Sequence, residues 1–157
     1  MKVQLDPKDR ELLGYLQENA RISNAELARR IDLSPPGLQK RLRRLELAGI
    51  IEDYVTLVNR EALGYDMLCI VQINLQRHEP EAIDRFRDYV QALPEVLECY
   101  HLTGQYDYLM KIVVRNRKHL ESFLMETLTP IPSMDTIRTS LVLSDIKVTT
   151  AVPVEKY

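Results

Sequence analysis

Residues 34–45 read SPPGLQKRLRRL, a stretch carrying four cations, Lys40, Arg41, Arg43 and Arg44, and no acid. Ser34 offers a capping hydroxyl and Pro35 gives up no hydrogen bond at a first helical position, so a helix is expected to begin here. Leu38, Leu42 and Leu45 then recur at i, i+4 and i+7 and share one inward face. Pro36, Lys40 and Arg43 point the opposite way. Gln39, Arg41 and Arg44 occupy the flanks, from which long side chains reach a phosphate or a base edge. The helix is expected to run to about Ala48, where Gly49 takes a left-handed stop conformation.

The flanking sequence gives this helix its context. Upstream, Ser23-Asn24-Ala25-Glu26 has the form of a capping box and opens a short helix with Leu27, Ala28 and Ile31 as its apolar stripe, ended by Asp32-Leu33. Earlier still, Asp6-Pro7 opens a first helix in which Leu12, Leu13, Leu16 and Ala20 repeat at helical spacing. Two short helices joined by a tight turn, the second basic outward, form a helix-turn-helix. Downstream, IIEDYVTLVN over 50–59 is β-branched and reads as a small β-wing turning at Glu52-Asp53. A winged helix-turn-helix places its last helix in a major groove of double-stranded DNA while cations neutralise phosphates. Ser34, Pro36, Gln39, Lys40, Arg41, Arg43 and Arg44 are therefore the candidate DNA-binding residues, with Arg43 and Arg44 foremost; the alternative for any of these cations is a solvated helix face.

The whole chain has 157 residues, 45% hydrophobic and 28% charged, with 21 Lys+Arg against 23 Asp+Glu. That is globular composition for one domain or two small ones, and it excludes a large multidomain enzyme. The charge is unevenly placed: residues 1–60 hold 11 Lys/Arg and 9 Asp/Glu, whereas residues 61–157 hold 10 and 14. A basic stripe thus sits on a mildly acidic protein. The charge-free run Met67–Gln76 is too short to cross a bilayer, the opening residues lack an apolar secretory core, and Cys69 and Cys99 read as small core residues. No membrane association and a cytoplasmic location are expected.

The second half has a different periodicity. NREALGYD over 59–66 loses the apolar pattern, so the expected division is a winged helix-turn-helix over 1–59, a linker over 60–65 and a second domain over 66–157. Met67, Cys69, Val71, Ile73 and Leu75 alternate as a strand, and Ile83, Phe86, Val90 and Leu93 form the stripe of a helix over 80–93. Val96–Thr103 and Tyr106–Arg115 are strand patterns joined by Gly104-Gln105, which predicts a tight two-residue hairpin. A helix over 118–128 and a strand over 135–150, bent near Ser144-Asp145, follow. The order β-α-β-β-α-β is that of a ferredoxin-like sandwich, so the fold class is α+β. Helices cover one sheet face; Tyr100, Leu102, Tyr108, Met110, Leu141 and Leu143 are candidates for the other, which a second copy would cover.

The stretch LDPKDRELLGYLQENARISNAELARRIDLSPPGLQKRLRRLELAGII, with its RISN and RLE elements, together with HLTGQYDYLMKIVV, resembles the leucine-responsive/asparagine-synthetase (Lrp/AsnC, or feast/famine) regulators over nearly the whole chain. The resemblance implies a transcriptional regulator that binds DNA through its third helix, forms homodimers and often octamers, and senses a small-molecule effector, an amino acid. It also implies effector contacts at Thr103, Gly104, Gln105, Tyr106 and Asp107 in the hairpin loop, with Thr139 and Ser140 on the last strand as a neighbouring wall. The chemistry is reasonable: glycine lets backbone donors approach a carboxylate, and an aspartate accepts from an ammonium. Many members carry an acid where Gln105 stands, which weakens any preference for a cationic ligand. The plainer role for Gly104 and Asp107 is to turn and cap a hairpin.

Other chemistry lacks motif support. His78, His101 and His119 have no metal-ligand spacing with the cysteines, no phosphate-binding glycine loop occurs, and no nucleophile elbow is present. No catalytic residue, metal or cofactor is expected. Two alternatives remain: a tetrapyrrole (siroheme-type) decarboxylase of similar architecture, with His101 as its suspect residue, and an architectural DNA-binding protein without an effector.

Overall fold

The computed structural model describes residues 4–76, 80–131 and 134–154. They fall into two compact units, one of residues up to 57 together with 147–154, the other of residues 58–146.

The first unit holds α1 (Pro7–Glu18), α2 (Asn24–Arg30) and α3 (Pro35–Leu47). Its core joins Leu12 and Leu13 of α1, Leu27 and Ala28 of α2, Ile31, and Leu38 and Leu45 of α3, with Leu16 and Leu42 packed alongside. Ala20 lies beyond the end of α1 and is exposed, so it adds nothing to that stripe. The capping differs from expectation in where its reciprocal half forms. Ser23 accepts from the Glu26 amide at 3.2 Å, but the Glu26 carboxylate turns to Arg29 and Arg30 instead of reaching back. A reciprocal box forms at α1, where Asp9 N donates to Asp6 Oδ1 at 2.8 Å and Asp6 N to Asp9 Oδ2 at 2.9 Å. Asp32, at φ 52°, makes the turn between α2 and α3 in a conformation that aspartate tolerates better than most residues. Gly49, at φ 65°, ends α3 as its sequence implies.

The segment read as a β-wing forms no strand ladder over residues 51–59, although Tyr54 Oη donates to Glu46 Oε1 at 3.0 Å and ties it to α3. Its apolar side chains Val55, Leu57 and Val58 are exposed, so nothing in the unit draws the backbone into pairing. The last described residues also depart from the expected division. Val152 exchanges two bonds with the Gln17 amide, at 2.7 and 3.0 Å, and Val154 packs on the first core.

The second unit begins with a turn, in the segment expected as the linker. Tyr65 N donates to Arg60 O at 2.9 Å and Gly64 N to Glu61 O at 2.8 Å, with Gly64 at φ 82°. The elements β1 (Met67–Leu75), α4 (Pro80–Gln91), β2 (Val96–His101), β3 (Tyr108–Val114), α5 (Arg117–Ser122) with a π-helical extension Phe123–Leu128, and β4 (Met134–Leu141) follow. The sheet is antiparallel in the order β2-β3-β1-β4, the ferredoxin-like arrangement. Cys69, Val71, Ile73 and Leu75 pack with Phe86, Val90, Phe123 and Leu128 under the helices. Residues 142–150, expected to prolong the last strand, carry no ladder.

Three assignments to the open sheet face are corrected, one being Leu141, which stands opposite buried Cys69 and so lies on the helix-covered side although it is exposed. Tyr108 stands opposite Ile73 and Met110 opposite Val71, so both belong to the helix-covered side and are buried. Leu109 and Lys111 take the open side, beside Tyr100 and Glu98 on β2 and Ile70 and Gln72 on β1. Tyr100, Leu102 and Leu143 are exposed.

Candidate functional site

The first candidate site is the outer surface of α3. Ser34 Oγ accepts from the Gly37 amide at 3.3 Å and caps the helix. Leu38 and Leu45 anchor the opposite side without exposed surface. Pro36, Gln39, Lys40 and Arg43 are exposed, and Lys40 and Arg43 make no ion pair among the described residues. These are groups that can approach a polyanion without first breaking an internal bond.

Arg41 and Arg44, expected on the flanks as further DNA contacts, meet a different environment. Arg41 Nη1 donates to Asp9 Oδ1 at 2.8 Å and to Asp6 Oδ2 at 2.5 Å, and Arg44 Nη2 donates to Asp9 Oδ2. Asp9 is fully buried, and a carboxylate taken out of water requires such compensation. The Arg41 guanidinium, through its hydrogen bond, holds the Asp6 carboxyl below its ordinary value, and Asp6, followed by Asp9, raises Arg41. The acid at position 9 is the partner that periodicity missed; the D-P-x-D run at 6–9 was its available signal.

The second candidate site is the loop between β2 and β3. It spans Leu102–Asp107, six residues rather than two, because Asp107 is drawn onto the end of β1. Its amide donates to Ile73 O and to Asn74 Oδ1, both at 3.0 Å, and its Oδ2 accepts from the Leu75 amide at 2.8 Å. Leu102 N closes the loop on Asp107 O at 2.8 Å. Thr103, Gly104 and Gln105 are exposed at the tip, with Gly104 at φ 134°, and Tyr106 is half-buried. Arg138 of β4 lies over the Tyr106 ring, its Cζ 5.8 Å from the centroid. Asn74 and Arg138 are loop partners that sequence reading missed, since only the sheet order brings them there.

Thr139 and Ser140 do not form one wall. Thr139 pairs with buried Val71, and Ser140 with Ile70 on the open side, so strand alternation sends them to opposite faces. Ser140 shares the open face with Arg138. The histidines have structural surroundings: His101 stacks on Tyr108 with centroids 4.8 Å apart, and His119 Nδ1 accepts from the Arg115 amide at 3.2 Å while Nε2 lies 3.3 Å from Glu95. His78 lies outside the described residues. Among the described residues, no helix is long and apolar enough to cross a membrane.

A capped basic helix on a leucine core in the first unit, and an open-faced sheet with an exposed glycine loop in the second, are the two candidate sites. Residues 5–52 match a family described as winged helix-turn-helix DNA-binding, and residues 68–152 match the Lrp/AsnC ligand binding domain. The chain belongs to the Lrp/AsnC family of transcriptional regulators. It is 36% identical to the transcriptional regulator AzlB of Bacillus subtilis (strain 168), covering 99% of each chain. It is 39% identical to the leucine-responsive regulatory protein of Escherichia coli (strain K12), over 91% of this chain and 87% of that one. Among solved structures, a transcriptional regulator of Neisseria meningitidis in complex with L-Met superposes with a TM-score of 0.91 at 35% identity, covering 96% of this chain and 97% of that one. AsnC of E. coli does so at 0.86 and 31% identity, over 96% and 100%.

Proposed function

We propose that the chain acts without catalysis as a homodimer, able to assemble further to an octamer, that reads a duplex through α3 and changes its DNA affinity or assembly when an amino acid occupies the Thr103–Asp107 loop. The observation that carries the DNA half is the exposed pair Lys40 and Arg43, on a helix capped by Ser34 and held from behind by Leu38 and Leu45. Ser34, Pro36 and Gln39 complete that surface near the helix start, where a helix-turn-helix meets base edges. The DNA-binding role expected of Arg41 and Arg44 passes to Lys40 and Arg43, because Asp9 already engages both arginines.

The effector half rests on the exposed glycine loop and on the L-Met complex of the Neisseria relative. Thr103, Gly104, Gln105 and Tyr106 face the effector, Arg138 and Ser140 border it from β4, and Asp107 holds the loop in shape. A carboxylate suits the backbone donors of the tip and the cation of Arg138. A dimer supplies the second copy that covers the open sheet face, and presents two α3 helices to half-sites about one DNA turn, or a multiple, apart. The protein is expected to work in the cytoplasm, where its DNA is.

The test is fluorescence anisotropy on DNA from upstream of its own coding sequence, with and without each of twenty amino acids, alongside calorimetry. Salt-dependent binding shifted by one or a few amino acids is expected. Flat calorimetric traces with intact binding would leave an effector-independent architectural protein, and absence of binding would overturn the DNA reading.

A further inference from the structure

The one charged side chain without exposed surface among the described residues, Asp9, is directed at the DNA-facing helix. Its two oxygens take Arg41 and Arg44, which lie on successive turns of α3, and Asp6 takes Arg41 as well. Half of the four cations on that helix are thus paired to carboxylates from the start of α1, while Lys40 and Arg43 are not. We infer that Asp9 is a specificity-determining positioning residue, which holds Arg41 and Arg44 off the phosphate backbone and so limits the sequence-independent affinity of α3 to what Lys40 and Arg43 supply.

The reason is electrostatic. Sequence-independent affinity comes from counterions released when unpaired cations neutralise phosphates, and a guanidinium already neutralised by a carboxylate releases few. For Arg44 to leave Asp9 would also strip a buried carboxylate of one of its two cations, a loss that a single solvated phosphate does not offset. The guanidinium therefore stays. A regulator distinguishes its operator from a vast excess of other DNA by the ratio of specific to non-specific binding, and raising the non-specific term erodes that ratio. Four unpaired cations on one short helix would raise it; Asp9 removes Arg44 by itself and Arg41 together with Asp6.

This inference rests on α3 being the DNA-facing helix, and the experiment separates the two claims. Binding of the full chain to a random-sequence duplex is followed by anisotropy across a salt series. Wild type should show a linear fall of log affinity with log salt; no salt dependence at all would sink the DNA reading itself. Arg43→Gln should lower the slope by about 0.9 for each phosphate left without its cation, whereas Arg44→Gln should leave the slope at the wild-type value. Asp9→Asn, checked for folding by circular dichroism, should steepen the slope and narrow the preference for DNA from upstream of its own coding sequence over random-sequence DNA about tenfold or more. If Asp9→Asn does not fold, the comparison of Arg44→Gln with Arg43→Gln decides alone. Equal flattening by both arginine variants would overturn the inference while leaving DNA binding intact, as would a folded Asp9→Asn with an unchanged slope.

Discussion

Asp107 Oδ2 accepts the Leu75 amide at 2.8 Å, so the side chain of the β2–β3 loop pins the end of the central strand β1. Leu75 is itself 5% exposed, and its amide has little water to fall back on. Replacing Asp107 by Ala removes the acceptor and is expected to cost about 1–3 kcal/mol, the range for an orphaned buried donor. Asp107→Asn keeps an oxygen there and should lose less. Urea unfolding of the full chain measures both; an Ala variant as stable as wild type would show that the bond holds nothing in place.

Gly104 is the second constraint on the same loop. Its φ of 134° lies where L-residues with a side chain seldom go, and an added Cβ would meet nothing within 4 Å. The penalty for Gly104→Ala is therefore backbone strain without a clash, about 1–3 kcal/mol, and Gly104→Val should exceed it. Because the strain relaxes by moving the tip, amino-acid binding in calorimetry should weaken more than global stability falls. Unfolding midpoints and titrations on the same samples would show it, and an Ala variant that binds as wild type would contradict the tip's role.

The parts of the fold legible in the chain are those set by local periodicity. The leucines of α3 and the alternating β1 residues need only their own spacing, and so does the stop at Gly49. What escapes is decided across long separations. Asp9 and Arg41 meet 32 residues apart, and nothing in the spacing of α3 distinguishes Arg41 from Arg43. The loop reads as a two-residue hairpin because Leu102, Thr103 and Tyr106 suit a strand; Asp107 bonds to Asn74 and Leu75 instead, 33 and 32 residues away. Alternation puts Tyr108 and Met110 on one face correctly as a pair, yet the register against β1 chooses which face. The extended segment after α3 has strand-like residues, and among the described residues of the first unit there is no strand for it to pair with.

Acid should weaken the first unit through Asp6. Its carboxyl lies below its ordinary value of 3.8 because Arg41 donates to it. A group depressed on folding adds stability that is fully present above the unfolded value and is lost as pH falls through the folded one. Wild type should thus exceed Asp6→Asn in stability near neutral pH, with the gap closing as pH drops below about 4. The Asp6 side chain is 43% exposed, so solvent screening keeps the gap small. Thermal melts of both proteins from neutral to acid pH test this, and a gap that widens in acid would reverse the assignment.

The open sheet face gives the test of self-association. Tyr100, half exposed, donates its hydroxyl to Glu98 Oε2 at 2.9 Å, and Lys111 pairs with Glu98 Oε1 at 3.0 Å. The ring is thus tethered through its hydroxyl to a local polar pair, next to Leu109 across the ladder. Covering this face with a second copy would remove aromatic surface from water at about 25 cal/mol per Å². Tyr100→Asp deletes the ring and sets a second carboxylate beside Glu98, so like charges from both copies would meet on closing. The dimer should weaken at least about tenfold, or roughly 1.4 kcal/mol, and sedimentation velocity at micromolar protein should show monomer where wild type shows dimer or larger. Since the residue is exposed in the single chain, the monomer's fold should survive, which circular dichroism can verify. Unchanged sedimentation of a folded Tyr100→Asp protein would move the self-association surface elsewhere.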